Sequence, residues 1–198
     1  MRLRYSPTSP FVRKVLISAD LLGLAERIEL VPSDTMNPQD DLRSINPLGR
    51  VPTLELDDGA SLVDSRVICD YLNTFAGGSL LPADLEARAR VHSDVCVADG
   101  ICEASLLIRY EAMFHEAGHV SPRWIDHQAG KAARAMAYFE TNPPRGAVTL
   151  DHVALACALG YRDFRFEGAW RADHPRLVAW LDAFKAAVPA FERTTPPA

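Results

Sequence analysis

Asn46-Pro47-Leu48-Gly49-Arg50-Val51-Pro52-Thr53-Leu54-Glu55-Leu56-Asp57-Asp58-Gly59-Ala60-Ser61-Leu62-Val63-Asp64-Ser65-Arg66-Val67-Ile68-Cys69-Asp70-Tyr71-Leu72 is the stretch whose reading decides the fold. It opens on an Asn-Pro-x-Gly turn. Residues 51–56 then read as a β-strand, Asp57-Asp58-Gly59 as a hairpin turn and residues 60–63 as the returning strand. Ser65 reads as the cap of a helix whose apolar positions Val67, Ile68, Tyr71, Leu72 and Phe75 share one face until Gly77-Gly78 ends it. Upstream, residues 2–5 form a short strand. Ser9-Pro10 starts a helix, since a hydroxyl can cap free backbone N–H groups and proline suits the first helical position. Phe11, Val15, Ala19 and Leu22 keep helical spacing up to Gly23, residues 27–31 alternate as a second strand, and a polar, proline-bearing loop covers 32–46. The order is βαβ followed by ββα.

Beyond this block the composition shifts to helical patterns throughout. The expected organisation is therefore an α/β domain over residues 1–78, a linker over 79–83 in which Pro82 stops any helix, and an all-helical domain over 84–198. The helices read as Asp84 to Ala117, Pro122 to Thr141, Leu150 to Phe164 and Pro175 to Ala187. The third is apolar or small on nearly every side and belongs at the centre of its bundle, with Thr149 as its N-cap. The Pro-rich end, Thr194 to Ala198, is expected to fray or lie on the surface.

The whole chain has 198 residues, 48% hydrophobic and 24% charged, which excludes disordered and fibrous classes. Its 21 Lys+Arg against 26 Asp+Glu give a net charge of −5, so no global positive field exists to hold nucleic acid or an anionic membrane. A small molecule or a protein is the expected partner. Pro7 and Pro10 interrupt the early chain before an export-signal core can form, and no apolar run approaches the ~20 residues a bilayer requires, so a cytoplasmic location is expected. Cys69, Cys96, Cys102 and Cys157 make no Cys-x-x-Cys pair and read as buried free thiols.

Ser9-Pro10-Phe11, Asn46-Pro47-Leu48-Gly49-Arg50, Val51-Pro52 and Asp64-Ser65 are, singly, common turn and cap devices. Together, at this spacing and in this order, they resemble the thioredoxin-like glutathione-binding domain of the cytosolic glutathione transferase superfamily, in a bacterial, serine-type form. Residues 46–54 are similar to the family's Asn-Pro-x-Gly-Lys-Val-Pro-x-Leu with Arg50 in place of lysine, and residues 64–72 to its Glu/Gln-Ser-x-Ala-Ile-x-x-Tyr-Leu. Thr149-Leu150-Asp151-His152 resembles the cap of the family's central helix, with His152 where an aspartate is usual, which leaves the reciprocal half of that cap open. Pro175 to Trp180 and Pro189-Ala190-Phe191 look like the family's C-terminal segments.

The resemblance implies glutathione as co-substrate and no metal. Ser9, with Thr8 as fallback and Ser6 also within reach, would donate to the glutathione sulfur at a helix N-terminus, where the helix dipole favours an anion. Val51, before a cis Pro52, would pair through its backbone with the cysteinyl part. Ser65 and the N–H groups of its helix suit the γ-glutamyl carboxylate, Asp64 the ammonium, and Arg50 the glycyl carboxylate. Ala98-Asp99-Gly100 is similar to an Asp-Gly step at the family's dimer interface, which implies a homodimer in which Asp99 reaches the neighbouring subunit's site. A second, electrophilic substrate is expected between the domains, over Ser9 and against Leu106, Arg109, Tyr110 and Met113, a set that plain packing explains equally well.

His115-Glu116-Ala117-Gly118-His119 matches His-Glu-x-x-His, the two-histidine zinc pattern. Gly118 lies inside it and Pro122 follows closely, so it reads as a helix terminus; His127 and Glu140 supply no third ligand in register, and His92, His152 and His174 have no ligand spacing. Two function classes follow. One is an enzyme that attacks a small electrophile with the glutathione thiolate, by conjugation, isomerisation or reductive removal of a thiol group. The other is a non-catalytic binding or regulatory module on the same fold, which would be freer to lose Ser9, Arg50, Val51, Asp64 and Ser65.

Overall fold

The computed structural model describes residues 1–116 and 118–197. Its strands are β1 (Arg2–Tyr5), β2 (Glu29–Pro32), β3 (Thr53–Glu55) and β4 (Ser61–Val63). Its helices are α1 (Pro10–Leu21), α2 (Leu42–Ile45), α3 (Ser65–Ala76), α4 (Leu85–Phe114), α5 (Pro122–Thr141), α6 (Leu150–Phe166), α7 (Pro175–Ala187) and α8 (Ala190–Arg193). The chain divides into two compact units, Met1–Arg88 with Val188–Ala198, and Ala89–Ala187.

In the first unit the strands form one sheet in the order β2-β1-β3-β4, with β1 and β2 parallel and the other pairs antiparallel. The alternation of side chains puts Leu3 opposite Leu54, and both are fully buried. Ile68, Cys69 and Leu72 of α3 are buried with them, as are Val12 and Val15 of α1. Four details differ from the sequence reading. β2 starts at Glu29, because Ala25–Arg27 winds into a 3-10 turn ending at the extended Ile28. The polar loop contains α2, anchored by the buried Leu42. Asp64 rather than Ser65 caps α3, accepting from the Arg66 N–H at 2.9 Å, so Ser65 becomes the first helical residue. Val67 and Phe75 are exposed rather than on the buried face, and the Arg27 guanidinium lies 4.8 Å from the centroid of the Phe75 ring.

Arg4, Arg13 and Lys14 are buried, although charged side chains are mostly exposed in folded proteins. Arg4 donates to Ser33 Oγ at 2.9 Å and pairs with Asp40 and Asp41, tying β1 to the loop that follows β2. Arg13 donates to the Phe191 carbonyl at 2.6 Å and to Thr194 Oγ1 at 3.3 Å, and its guanidinium stacks 3.8 Å from the Phe191 ring centroid. The C-terminal segment is thereby fastened to α1.

In the second unit every residue from Leu150 to Tyr161 of α6 is buried, which is why that stretch carries almost no polar side chain. Its start is capped reciprocally after all: Thr149 Oγ1 contacts Asp151 and lies 2.9 Å from His152 Nδ1, and the Thr149 N–H donates to His152 Nδ1 at 3.3 Å. A neutral imidazole has one acceptor nitrogen, and here it does the work of the usual carboxylate. Helix α4 stops at Phe114, short of the expected end at Ala117, a residue that lies outside the described ones. Cys96 is exposed on α4, unlike the buried Cys69, Cys102 and Cys157, because it falls on the face of the helix turned from the bundle. Among the described residues no helix is long and apolar enough to cross a membrane.

Candidate active site

The sheet register assembles the candidate residues at one end of the first unit. Arg4, near the end of β1, pairs with Thr53 at the start of β3, and Thr53 pairs with Val63 at the end of β4. The loop into α1, the Arg50-Val51-Pro52 turn and the Asp64-Ser65 start of α3 therefore leave the sheet at the same edge. Segments separated by some fifty residues in sequence meet because antiparallel pairing reverses direction twice.

Each segment is shaped by local hydrogen bonds. Ser9 is the N-cap of α1, with its Oγ accepting from the Val12 N–H at 3.3 Å, and Pro10 occupies the first turn. Among the described residues no atom receives the Ser9 hydroxyl hydrogen, which leaves it available to donate. Thr8 turns instead toward Ser6, the two hydroxyl oxygens lying 3.5 Å apart. The buried Asn46 organises the next turn: its side-chain amide donates to the Arg50 carbonyl and to Thr53 Oγ1, both at 3.0 Å, and its Oδ1 accepts from the Leu48 N–H at 3.0 Å. Gly49 follows at φ 58°, a left-handed conformation in which a side chain would also meet Arg43. The Val51–Pro52 bond is cis, as the resemblance implied, and Val51 stands just outside the ladder that begins at Thr53. The Arg50 side chain is exposed, with no partner among the described residues.

Asp64 is held at φ 70° and ψ 130°, a conformation that costs a non-glycine residue of the order of 1–3 kcal/mol. Its carboxylate pairs with the Arg66 guanidinium at 2.7 Å and 3.0 Å. The hydrogen bonds from Arg66 hold its pKa down at about 2 against the penalty of partial burial, with a further contribution from the Lys14 ammonium. Lys14, five residues after Ser9 and 1% exposed, thus adds positive charge behind the site, although a lysine beside Arg13 carries no sequence signal for it. Ser65 is buried at the first turn of α3, where backbone N–H groups are without intrahelical partners.

In the second unit, Leu106, Arg109, Tyr110 and Met113 lie on the C-terminal part of α4. Leu106 and Arg109 are half-buried; Tyr110 and Met113 are exposed, and Phe114 packs edge-on against Tyr110. Asp99 is 4% exposed and engaged within the described chain. His115 Nδ1 contacts the Glu111 carbonyl at 3.1 Å, one residue past the end of α4, so the two-histidine pattern is not carried on a helix face. Among the described residues no group of three or more His, Cys, Asp or Glu side chains is arranged to hold a metal ion.

A βαβ-ββα sheet with a hydroxyl at the α1 start, a cis-proline turn and a strained acidic cap, together with a helical unit, defines a thioredoxin-like fold with a helical domain. Residues 8–74 match the family described as glutathione S-transferase, N-terminal domain. The uncharacterised GST-like protein YibF of Escherichia coli K12 is 33% identical over all of this chain and 99% of its own length. A maleylacetoacetate isomerase of Pseudomonas aeruginosa is 29% identical over 67% of this chain and 65% of its own. A crystal structure of a glutathione transferase family member from Pseudomonas fluorescens Pf-5, with bound glutathione, is 38% identical, superposes with a TM-score of 0.93, and covers 100% of this chain and 99% of that one. The chain belongs to the cytosolic glutathione S-transferase superfamily.

Proposed function

We propose that this protein is a glutathione transferase that binds glutathione at the sheet edge of its first unit and uses the thiolate to attack a small electrophile. The observation that carries the reading is Asp64: a strained, ionised cap directly before the buried Ser65 at a helix N-terminus. Strain of this kind persists where surrounding structure maintains it for a purpose. In this reading Asp64 accepts from the γ-glutamyl ammonium, while Ser65 and the first N–H groups of α3 take the α-carboxylate. The Val51 backbone pairs with the cysteinyl residue beside Pro52, and Arg50 meets the glycyl carboxylate, where a guanidinium offers two parallel donors.

Activation of the thiol falls to Ser9. A thiol with a pKa of about 8.5 is mostly protonated at neutral pH, and only its thiolate is a strong nucleophile. Lowering that pKa by roughly 2 units requires about 2.7 kcal/mol of preference for the anion. One hydroxyl donor and the free N–H groups of the α1 start are together of that strength. Leu106, Arg109, Tyr110 and Met113 are proposed as contacts of the second substrate. The protein acts as a cytoplasmic homodimer. Similarity to a maleylacetoacetate isomerase supports isomerisation as one of the reactions within reach, beside conjugation and reductive thiol removal. Calorimetric titration with glutathione, followed by turnover with a panel of electrophiles, tests the reading. Binding in the micromolar to millimolar range with turnover is expected; no binding at millimolar glutathione overturns the transferase reading and leaves a non-catalytic module.

A further inference from the structure

The last turns of α6 carry a group of cations for which the reaction described so far has no use. Arg165 and the buried Tyr161 lie beside Arg109 of α4, and Arg162 reaches Ser105, four residues before Arg109 on the same helix. The Tyr161 hydroxyl interacts with both Arg109 and Arg165, and burial raises its pKa. Arg165 is close enough to Arg109 for repulsion to add to burial in lowering its pKa, and burial alone lowers that of Arg162.

Both α6 guanidinium groups are fixed in place by aromatic rings. Arg162 lies 3.9 Å from the Phe166 ring centroid and Arg165 3.9 Å from that of Phe164. Stacking holds the planes and leaves their N–H edges for other partners. Among the described residues those partners are the Tyr161 hydroxyl for Arg165 and Ser105 Oγ for Arg162. The Nε atoms of Arg162 and Arg165 are both buried without a hydrogen bond, and the one polar contact of Arg162 is a long one, 3.4 Å to Ser105 Oγ, whose hydrogen is already donated to the Ile101 carbonyl. Among the described residues no carboxylate pairs with Arg109, Arg162 or Arg165. Asp163 and Glu111 are committed elsewhere: Asp163 takes a two-pronged bond from Arg171 and a third from the Trp170 indole, and Glu111 accepts from the Ser121 N–H and pairs with His115, while Glu167 is exposed past the end of α6. Three like charges on facing helices, two of them stacked on rings and each of those two with an unpaired Nε, are an arrangement suited to an anion. Arginine is the side chain whose geometry suits a carboxylate.

We infer that Arg109, Arg162 and Arg165, with the Tyr161 hydroxyl, form a carboxylate-binding site on the helical unit, and that the second substrate is therefore a carboxylate-bearing electrophile. The inference rests on the reading of Arg109 as a second-substrate contact. The carboxylate relieves the repulsion between Arg109 and Arg165 and gives the guanidinium groups an anionic acceptor.

A matched pair of aryl chlorides tests it on the full-length protein. With both 4-chloro-3,5-dinitrobenzoate and the neutral 1-chloro-2,4-dinitrobenzene, the thiolate sulfur bonds to the ring carbon and chloride leaves with the bonding pair. Arg162→Met combined with Arg165→Met is expected to lower kcat/KM for the benzoate at least about tenfold more than for the neutral compound. Arg165→Lys, a milder change that serves should the double variant fail to fold, is expected to lower the same ratio by a smaller factor. Arg123→Met, which removes an exposed charge from α5, should leave the ratio alone. Equal losses for the two compounds overturn the inference. Calorimetric binding of 3,5-dinitrobenzoate without glutathione separates the two proposals: if neither chloride turns over, the transferase reading fails, and this titration alone decides the anion site. Binding that weakens about tenfold on Arg162→Met supports the site, and binding indifferent to it removes the site.

Discussion

Ser9 combines a structural and a chemical task, and the two separate in measurement. Its Oγ caps α1 through the Val12 N–H, so Ser9→Ala should cost about 1 kcal/mol of stability by thermal melting. In the proposed reaction the same variant should lower turnover and move the kinetic pKa of bound glutathione back toward about 8.5, with affinity for glutathione changed only slightly because Arg50 and Ser65 still hold its ends. Thr8→Ala, whose hydroxyl faces Ser6, should change neither; a pH-rate profile that shifts for Thr8→Ala and not for Ser9→Ala would move the donor by one residue. Asp64 carries a prediction about acid. Its folded pKa of about 2 lies below the unfolded value of about 3.9, so its contribution to stability is complete above about pH 4 and is lost as pH falls toward 2. Melting temperatures measured across that window should fall more steeply for the natural chain than for Asp64→Asn, which has no carboxyl group to titrate.

At the scale of elements, α6 depends on its cap because all of its first three turns are buried and water cannot satisfy its leading N–H groups. Thr149→Ala is expected to lower stability by about 1–2 kcal/mol in denaturant titration, with an unchanged m-value. His152 accepts through Nδ1 from the Thr149 N–H, so the reciprocal half of the cap needs the neutral imidazole. The boundaries of α1, α5 and α7 were legible in the sequence, because Ser9-Pro10, Ser121-Pro122 and His174-Pro175 each put a proline at the first helical position. The cap of α3 was misread by one residue. Both Asp64 and Ser65 are good caps, and choosing between them depends on Arg66, whose guanidinium holds the Asp64 carboxylate beside its own N–H.

At the scale of the whole molecule, the chain from Val188 closes onto α1 within the first unit. Val188, Ala190 and Phe191 are buried, and Phe191 covers the Arg13 guanidinium. Ending the chain at Ala187 should lower the melting temperature by roughly 10 °C, since it exposes this apolar surface and strips a buried cation of its acceptor. Light scattering at tens of micromolar should give twice the mass of one chain; a monomer would remove the proposed homodimer. The sequence by itself determined the order of the strands and of the long helices, and the turn chemistry around Asn46, Gly49 and Pro52, because caps, turns and periodicity are local and are written in adjacent residues. Only the tertiary structure decided the fate of the cations. Arg4, Arg13 and Lys14 are buried, and Arg162 and Arg165 are stacked on rings with their Nε atoms unpaired. A long charged side chain is compatible with either fate. Which one it meets depends on acceptors and aromatic faces brought from distant parts of the chain, and no local pattern encodes those.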